Sequence, residues 1–188
     1  MRYLVFFLEE PSAKEMLEGL LPRILNPDID VKYIIFEGKQ DLEKRIEKKL
    51  LHWQLPNSYF LVLRDKDSGD CHIIKNELLT KINKTSKQDV SLVRIACHEL
   101  ESFYLGDLKA VENALEINGL STHQEKRKYR NPDKLGSPSE ELKKITMRKY
   151  QKKSGSRAIG RFLSITGSNR SHSFNILIQG IYKLVDMA

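Results

Sequence analysis

The chain has 188 residues, 40% of them hydrophobic and 30% charged, with a formal net charge of +7. That length suits one domain with a small appendage, and the apolar fraction can close a core, which excludes a wholly disordered, collagen-like or coiled-coil chain. The longest apolar run, Tyr3 to Leu8, falls far short of the roughly 20 residues of a bilayer span, and Cys71 and Cys97 are too few for a disulfide framework, so a cytoplasmic protein without a membrane partner is expected.

In chain order, Tyr3 to Leu8 is a continuous apolar and aromatic run and predicts a strand covered on both faces. Ala13, Met16, Leu17, Leu20 and Leu21 then share one helical face, and Ser12 with Glu15 has capping-box spacing. Val31 to Phe36 predicts a second strand, and Asp41 to Leu51 an amphipathic helix whose Lys and Glu residues face solvent. Tyr59 to Leu63 predicts a third strand, leading into Arg64-Asp-Lys-Asp-Ser-Gly-Asp70. A helix follows from Cys71 to about Lys84, then a fourth strand from Val90 to Ala96.

That alternation predicts an α/β fold, a mainly parallel four-stranded Rossmann-like sheet with helices on both faces. Beyond Glu99 the pattern turns helical, with helices over 99–105, 108–117, 140–150 and 174–187. The chain divides into an α/β core over 1–120 and a basic, mainly helical extension over 121–188. Between Lys126 and Arg161 stand 13 Lys and Arg against three acids, a charge of +10, which leaves the other 152 residues at −3. A basic segment beside an acidic body points to phosphates held in one place and cations in another. A solvated lysine-rich surface is the plainer account of the same charges.

In open parallel sheets the working residues gather beyond the carboxyl ends of the strands. Acids stand there three times: Glu9 and Glu10 after the first strand, Asp65 and Asp67 after the third, Glu99 and Glu101 after the fourth. Converging carboxylates repel unless a cation sits among them, and oxygen donors select Mg²⁺ or Mn²⁺. If strand geometry continues past Asp65, then Asp65 and Asp67 leave one face and grip an ion from one side.

Other features have simpler readings. Asp70 suits a helix cap better than a metal ligand, Asp107 has the same ambiguity, and Ser171, His172 and Ser173 suit a cap on the last helix. The adjacent pairs Cys71-His72 and Cys97-His98 lack zinc-loop spacing. Gly155 to Gly160 reads as a turn entering a helix. Tyr129 and Tyr150, among the basic residues, suit either base stacking or a small satellite core.

Leu8-Glu9-Glu10, Asp65-Lys66-Asp67 and Glu99-Leu100-Glu101 resemble the Toprim domain of topoisomerases, primases and overcoming-lysogenisation-defect nucleases. The strings Glu9 to Glu15, Arg64 to Cys71 and Arg94 to Asp107 resemble those of short bacterial Toprim-like proteins over most of the chain. The resemblance implies a Mg²⁺- or Mn²⁺-dependent nuclease or phosphodiesterase, with Glu9 in acid/base or metal chemistry and Asp65 with Asp67 as metal ligands. Glu101 completes the site, with Glu99 in reserve. Toprim domains carry Gly where this chain has Glu10, so either Glu9 or Glu10 can point inward.

Lys126, Arg127, Lys128, Arg130, Lys152, Lys153, Arg157 and Arg161 are the expected contacts to DNA or RNA. The resemblance also implies an anti-phage role beside an ABC-type or AAA ATPase. The competing expectation is a non-catalytic binding or regulatory subunit of that ATPase.

Overall fold

The computed structural model describes residues 1–187. Strands β1 (Arg2–Leu8), β2 (Ile29–Ile35), β3 (Ser58–Asp65) and β4 (Ser91–Ala96) form one all-parallel sheet in the order β2-β1-β3-β4. The expected α/β fold is therefore present. Every strand boundary lies within two residues of its expected place, including the end of β3, where sheet pairing carries on past Leu63 to Asp65 opposite Ala96.

Strand alternation sorts the apolar residues into two cores. Leu4, Phe6, Leu8, Leu61 and Leu63 face one side, and Val5, Phe7, Phe60 and Val62 face the other. Helices α2 (Lys39–Leu51) and α3 (Cys71–Ile82) cover the second, smaller core through Leu42, Ile46, Leu50, Ile74, Leu78 and Ile82. The larger core is covered by α1 (Pro11–Leu20) and by helices of the C-terminal half: α4 (Glu101–Leu105), α5 (Leu108–Leu115), α6 (Pro138–Ile145), α7 (Lys152–Gly160) and α8 (His172–Met187). One apolar cluster runs from Leu4 through Phe103, Leu142 and Ile159 to Leu184. No helix among the described residues is long and apolar enough to cross a membrane.

Several local expectations need correction. No capping box forms at α1, because Pro11 starts the helix and Ser12 donates its hydroxyl back to Glu10. Helix α6 starts at Pro138, ahead of Ser139, and stops at Ile145, where Met147 and Arg148 take left-handed backbone. Gly155 and Gly160 lie inside α7 and do not form a turn.

The glycines of α7 and α1 allow a close crossing. A Cβ on Gly160 would sit 2.3 Å from the Met16 carbonyl oxygen, and one on Gly19 would sit 2.5 Å from that of Arg157. The missing side chains let two backbones touch, and the crossing carries Lys152, at the start of α7, to the end of β1.

Candidate active site at the carboxyl edge

The chain leaves β1 toward β2 on one side, and the later strands lie on the other, so strand order reverses between β1 and β3. Ligand crevices of open parallel sheets form at such a reversal, outside the carboxyl ends. Glu9 and Glu10 leave the end of β1 there, and Asp65 closes β3 beside them. Gly38, at φ 88, turns the chain into α2 and donates its amide to the Glu9 carbonyl oxygen at 3.2 Å, which fixes that strand end.

The acids converge. Asp65 is half-buried, and its carboxyl is held well above the usual range, first by burial and then by the charges of Glu10, Glu9 and Glu101. Glu9 accepts the Asp65 amide at 3.1 Å, yet burial still raises its carboxyl, with Asp67 adding to the rise. Glu101 is 1% exposed and raised by burial, while the Tyr150 hydroxyl, donating at 2.9 Å, partly offsets the rise. Tyr150 in turn lies 3.2 Å from the Ser156 hydroxyl of α7. Glu10 receives the Lys152 ammonium at 2.6 Å. The buried Tyr104 hydroxyl, with no hydrogen-bond partner among the described residues, lies where the charges of Glu101, Glu10 and Asp65 act on it.

The other expected ligands separate from this group. Asp67 does not continue the strand. Its backbone is left-handed at φ 52, opposite His98 at φ 61, whose carbonyl oxygen accepts the Asp67 amide at 2.8 Å. Alternation ends at Asp65, so the two aspartates do not leave one face: Asp67 turns to Lys39 of α2, 2.7 Å away. Glu99 accepts the Ser139 amide at 2.7 Å, which ties the start of α6 to the end of β4 and spends that carboxylate on the fold. Asp70 caps α3 through the His72 and Ile73 amides, and Asp107 caps α5 through Ala110. Ser171 caps α8 by accepting the Phe174 amide.

The expected nucleic-acid residues divide as well. Lys128 pairs with Glu141, Lys152 with Glu10, and Arg157 with Glu15 and Glu18, while Arg130 donates to the Glu125 carbonyl oxygen. Lys126, Arg127, Lys153 and Arg161 are exposed and have no ion pair among the described residues. Tyr129 and Tyr150 are buried, so they serve the core and offer no stacking surface.

Sequence reasoning passed over four contributors. Arg64 is 6% exposed on the α2 side of β3, with its Nη2 3.0 Å from Glu43 and its Nε 4.0 Å from Glu9. Its charge at the end of an apolar strand was the available signal, since a buried arginine needs a partner. Lys39, Tyr104 and Tyr150 reach the site through folding alone; the basic surroundings of Tyr150 suggested base stacking or a satellite core, not a partner for Glu101.

Fold and site together define a parallel α/β protein with a cluster of acids at its strand reversal. The chain belongs to the family described as Domain of unknown function (DUF4276), whose family model matches residues 8–182. No curated protein and no solved structure matches the chain.

The donor chemistry fits a hard divalent ion: the charges of Glu10, Glu9 and Glu101 all act on Asp65, with Lys152 the nearby cation, and such repulsion is what an ion relieves. Among the described residues, however, no three Asp, Glu, His or Cys side chains stand close enough to hold an ion as they are. Taking one up requires these side chains to close in, and Lys152 to release Glu10.

Proposed function

We propose that the chain is a Mg²⁺- or Mn²⁺-dependent phosphodiester hydrolase of Toprim-like kind that acts on nucleic acid, as an effector of anti-phage defence. The observation that carries this reading is the setting of Asp65: it closes a central strand at the sheet's reversal, among carboxylates delivered by the ends of β1 and β4. Burying acids together is costly in the folded chain, and a bound cation with a phosphate offsets that cost.

Asp65, Glu9 and Glu10 would hold the ion, with Asp67 joining on release from Lys39. Bound there, it would neutralise a non-bridging phosphate oxygen and acidify an attacking water. Glu101 keeps its proton more firmly than an ordinary carboxyl and is steadied by Tyr150, which suits delivery of a proton to a leaving oxygen. Lys152, freed from Glu10, would meet the phosphate.

The test is cleavage of single- and double-stranded DNA and RNA with Mg²⁺, Mn²⁺ or chelator, alone and beside an ATPase encoded next to it. Asp65→Asn is expected to abolish metal-dependent cleavage while keeping the fold. Full cleavage by that variant, or by the wild type in chelator, rejects the assignment.

A second reading, a binding or regulatory subunit of an ABC-type or AAA ATPase, draws on Lys39 and Lys152, which already set a cation against Asp67 and Glu10. Salt-sensitive binding without cleavage under every condition favours it.

A further inference from the structure

Beyond its first turn, where Asp41 pairs with Arg45, helix α2 is divided lengthwise by charge. Its acids Glu43 and Glu47 turn to Arg64 and to Lys84, toward β3 and α3. Its bases Arg45, Lys48 and Lys49 turn the other way, toward β2, the free edge of the sheet. With Ile34, His52 and Trp53 they line an open groove of about 380 Å³.

Arg45 is tied to Asp41 at 3.1 Å, but Lys48 and Lys49 have no acid partner among the described residues. Trp53 is half-buried and held in place, its ring edge-on to Phe60 and its Nε1 donating to Ser58 at 2.8 Å. Lysines at the end of a helix also answer its dipole. The dipole, however, does not account for a fixed aromatic ring in the same groove.

We infer that this groove binds single-stranded nucleic acid, with Lys48 and Lys49 on the phosphates and a base against Trp53. Unpaired cations beside an exposed aromatic surface are what a single strand requires, because its bases are free to stack and its charge is carried along the backbone. A duplex keeps its bases stacked inside and has no use for the ring. The open shape suits a strand that passes through better than a nucleotide that must be enclosed.

Helix α2 begins at Lys39, paired with Asp67 beside the acid cluster, and its 13 residues span about 20 Å, so the groove and the carboxyl edge lie toward the two ends of one helix. The inference goes beyond the proposed hydrolysis and does not need the crevice to be catalytic.

Trp53 is the only tryptophan in the chain, so its emission reports on this groove alone. The experiment titrates the full chain with oligothymidylate in chelator, which sets metal chemistry aside, and follows Trp53 emission together with anisotropy of the labelled strand. Emission should change with the same midpoint as the anisotropy. The double variant Lys48→Glu, Lys49→Glu, with its fold checked by circular dichroism, should bind about tenfold or more weakly. Its plot of log K against log salt should be shallower by about 1.4, two phosphate contacts at roughly 0.7 each for a single strand.

Three results overturn the inference: binding with no response from Trp53, undiminished binding by the double variant, or polyglutamate competing better than oligothymidylate, which makes the occupant an acidic protein. If the loss appears only with Lys153→Glu and Arg161→Glu, the strand lies on the C-terminal region and the groove is not its site.

Discussion

The two sides of the sheet treat charge differently at the carboxyl edge. On the side of the larger core, Asp65 and Glu101 are half-buried or buried without an ion pair of their own among the described residues: Asp65 feels the charges of other acids, Glu101 accepts from the Tyr150 hydroxyl, and the nearby cation, Lys152, is paired with Glu10. On the side of α2, each charge has a counter-charge, Asp67 with Lys39 and Arg64 with Glu43, and Glu9 stands between the two groups. Paired charges keep a surface in place, whereas crowded acids hold a site open to a cation. The proposed chemistry draws on the larger-core side, and substitutions on either side test the contrast.

The largest expected effect is at the crossing that brings Lys152 to the crevice. Gly160→Ala drives a methyl group into the Met16 backbone, a clash that only separation of α1 and α7 relieves, and should cost about 3 kcal/mol in urea unfolding. Gly136→Ala, where a Cβ meets nothing within 4 Å, should leave stability unchanged within about 0.5 kcal/mol. Equal losses in the two variants would break the claim that the glycines serve close approach.

Arg64→Met should follow at about 2 kcal/mol, because it leaves Glu9 and Glu43 without their cation on the side where charges are otherwise paired. Next come the two tyrosines of the larger-core side, expected to act in opposite ways. Tyr150→Phe removes the hydrogen bond to buried Glu101 and should cost on the order of 1–2 kcal/mol, whereas Tyr104→Phe removes a hydroxyl with no partner and should be neutral or slightly stabilising.

The pH dependence sharpens the comparison further. Asp65, Glu9 and Glu101 all have raised carboxyls, so the folded chain binds protons that the unfolded chain has released. Their contribution to stability is therefore lost as pH rises through the raised values and regained as pH falls toward the ordinary carboxylate range, near about 4. Thermal melting in chelator should come at higher temperature near pH 5 than near pH 8, both about one unit or more above that range, and Asp65→Asn should flatten the difference. The smallest effect belongs to Lys39→Met. Its exposed pair with Asp67 should change stability by less than about 0.5 kcal/mol, a result that would separate it from Arg64.

Much of this was legible in the chain. Unbroken apolar runs at Tyr3 to Leu8 and Tyr59 to Leu63 marked central parallel strands, since only strands covered on both faces can be apolar at every position. The acids were legible for the same reason, because a carboxylate directly after such a run has to stand at the sheet's edge. The path of the chain beyond the edge was not. Asp67 departs from the expected geometry because the ladder with Ala96 and His98 forces a left-handed turn, and no residue pattern announced it. Glu99 stood in reserve behind Glu101, and the start of α6 takes its carboxylate.

By itself the sequence determined the four strands, their parallel α/β arrangement and the acids that follow them, because those depend on local periodicity and on where apolar runs end. Only the tertiary structure decided which acids stay crowded and which are neutralised. Lys39, Arg64, Tyr150 and Lys152 meet their carboxylates across 28, 21 or 55, 49 and 142 residues respectively. Interactions at such separations are set by packing, which no local pattern encodes.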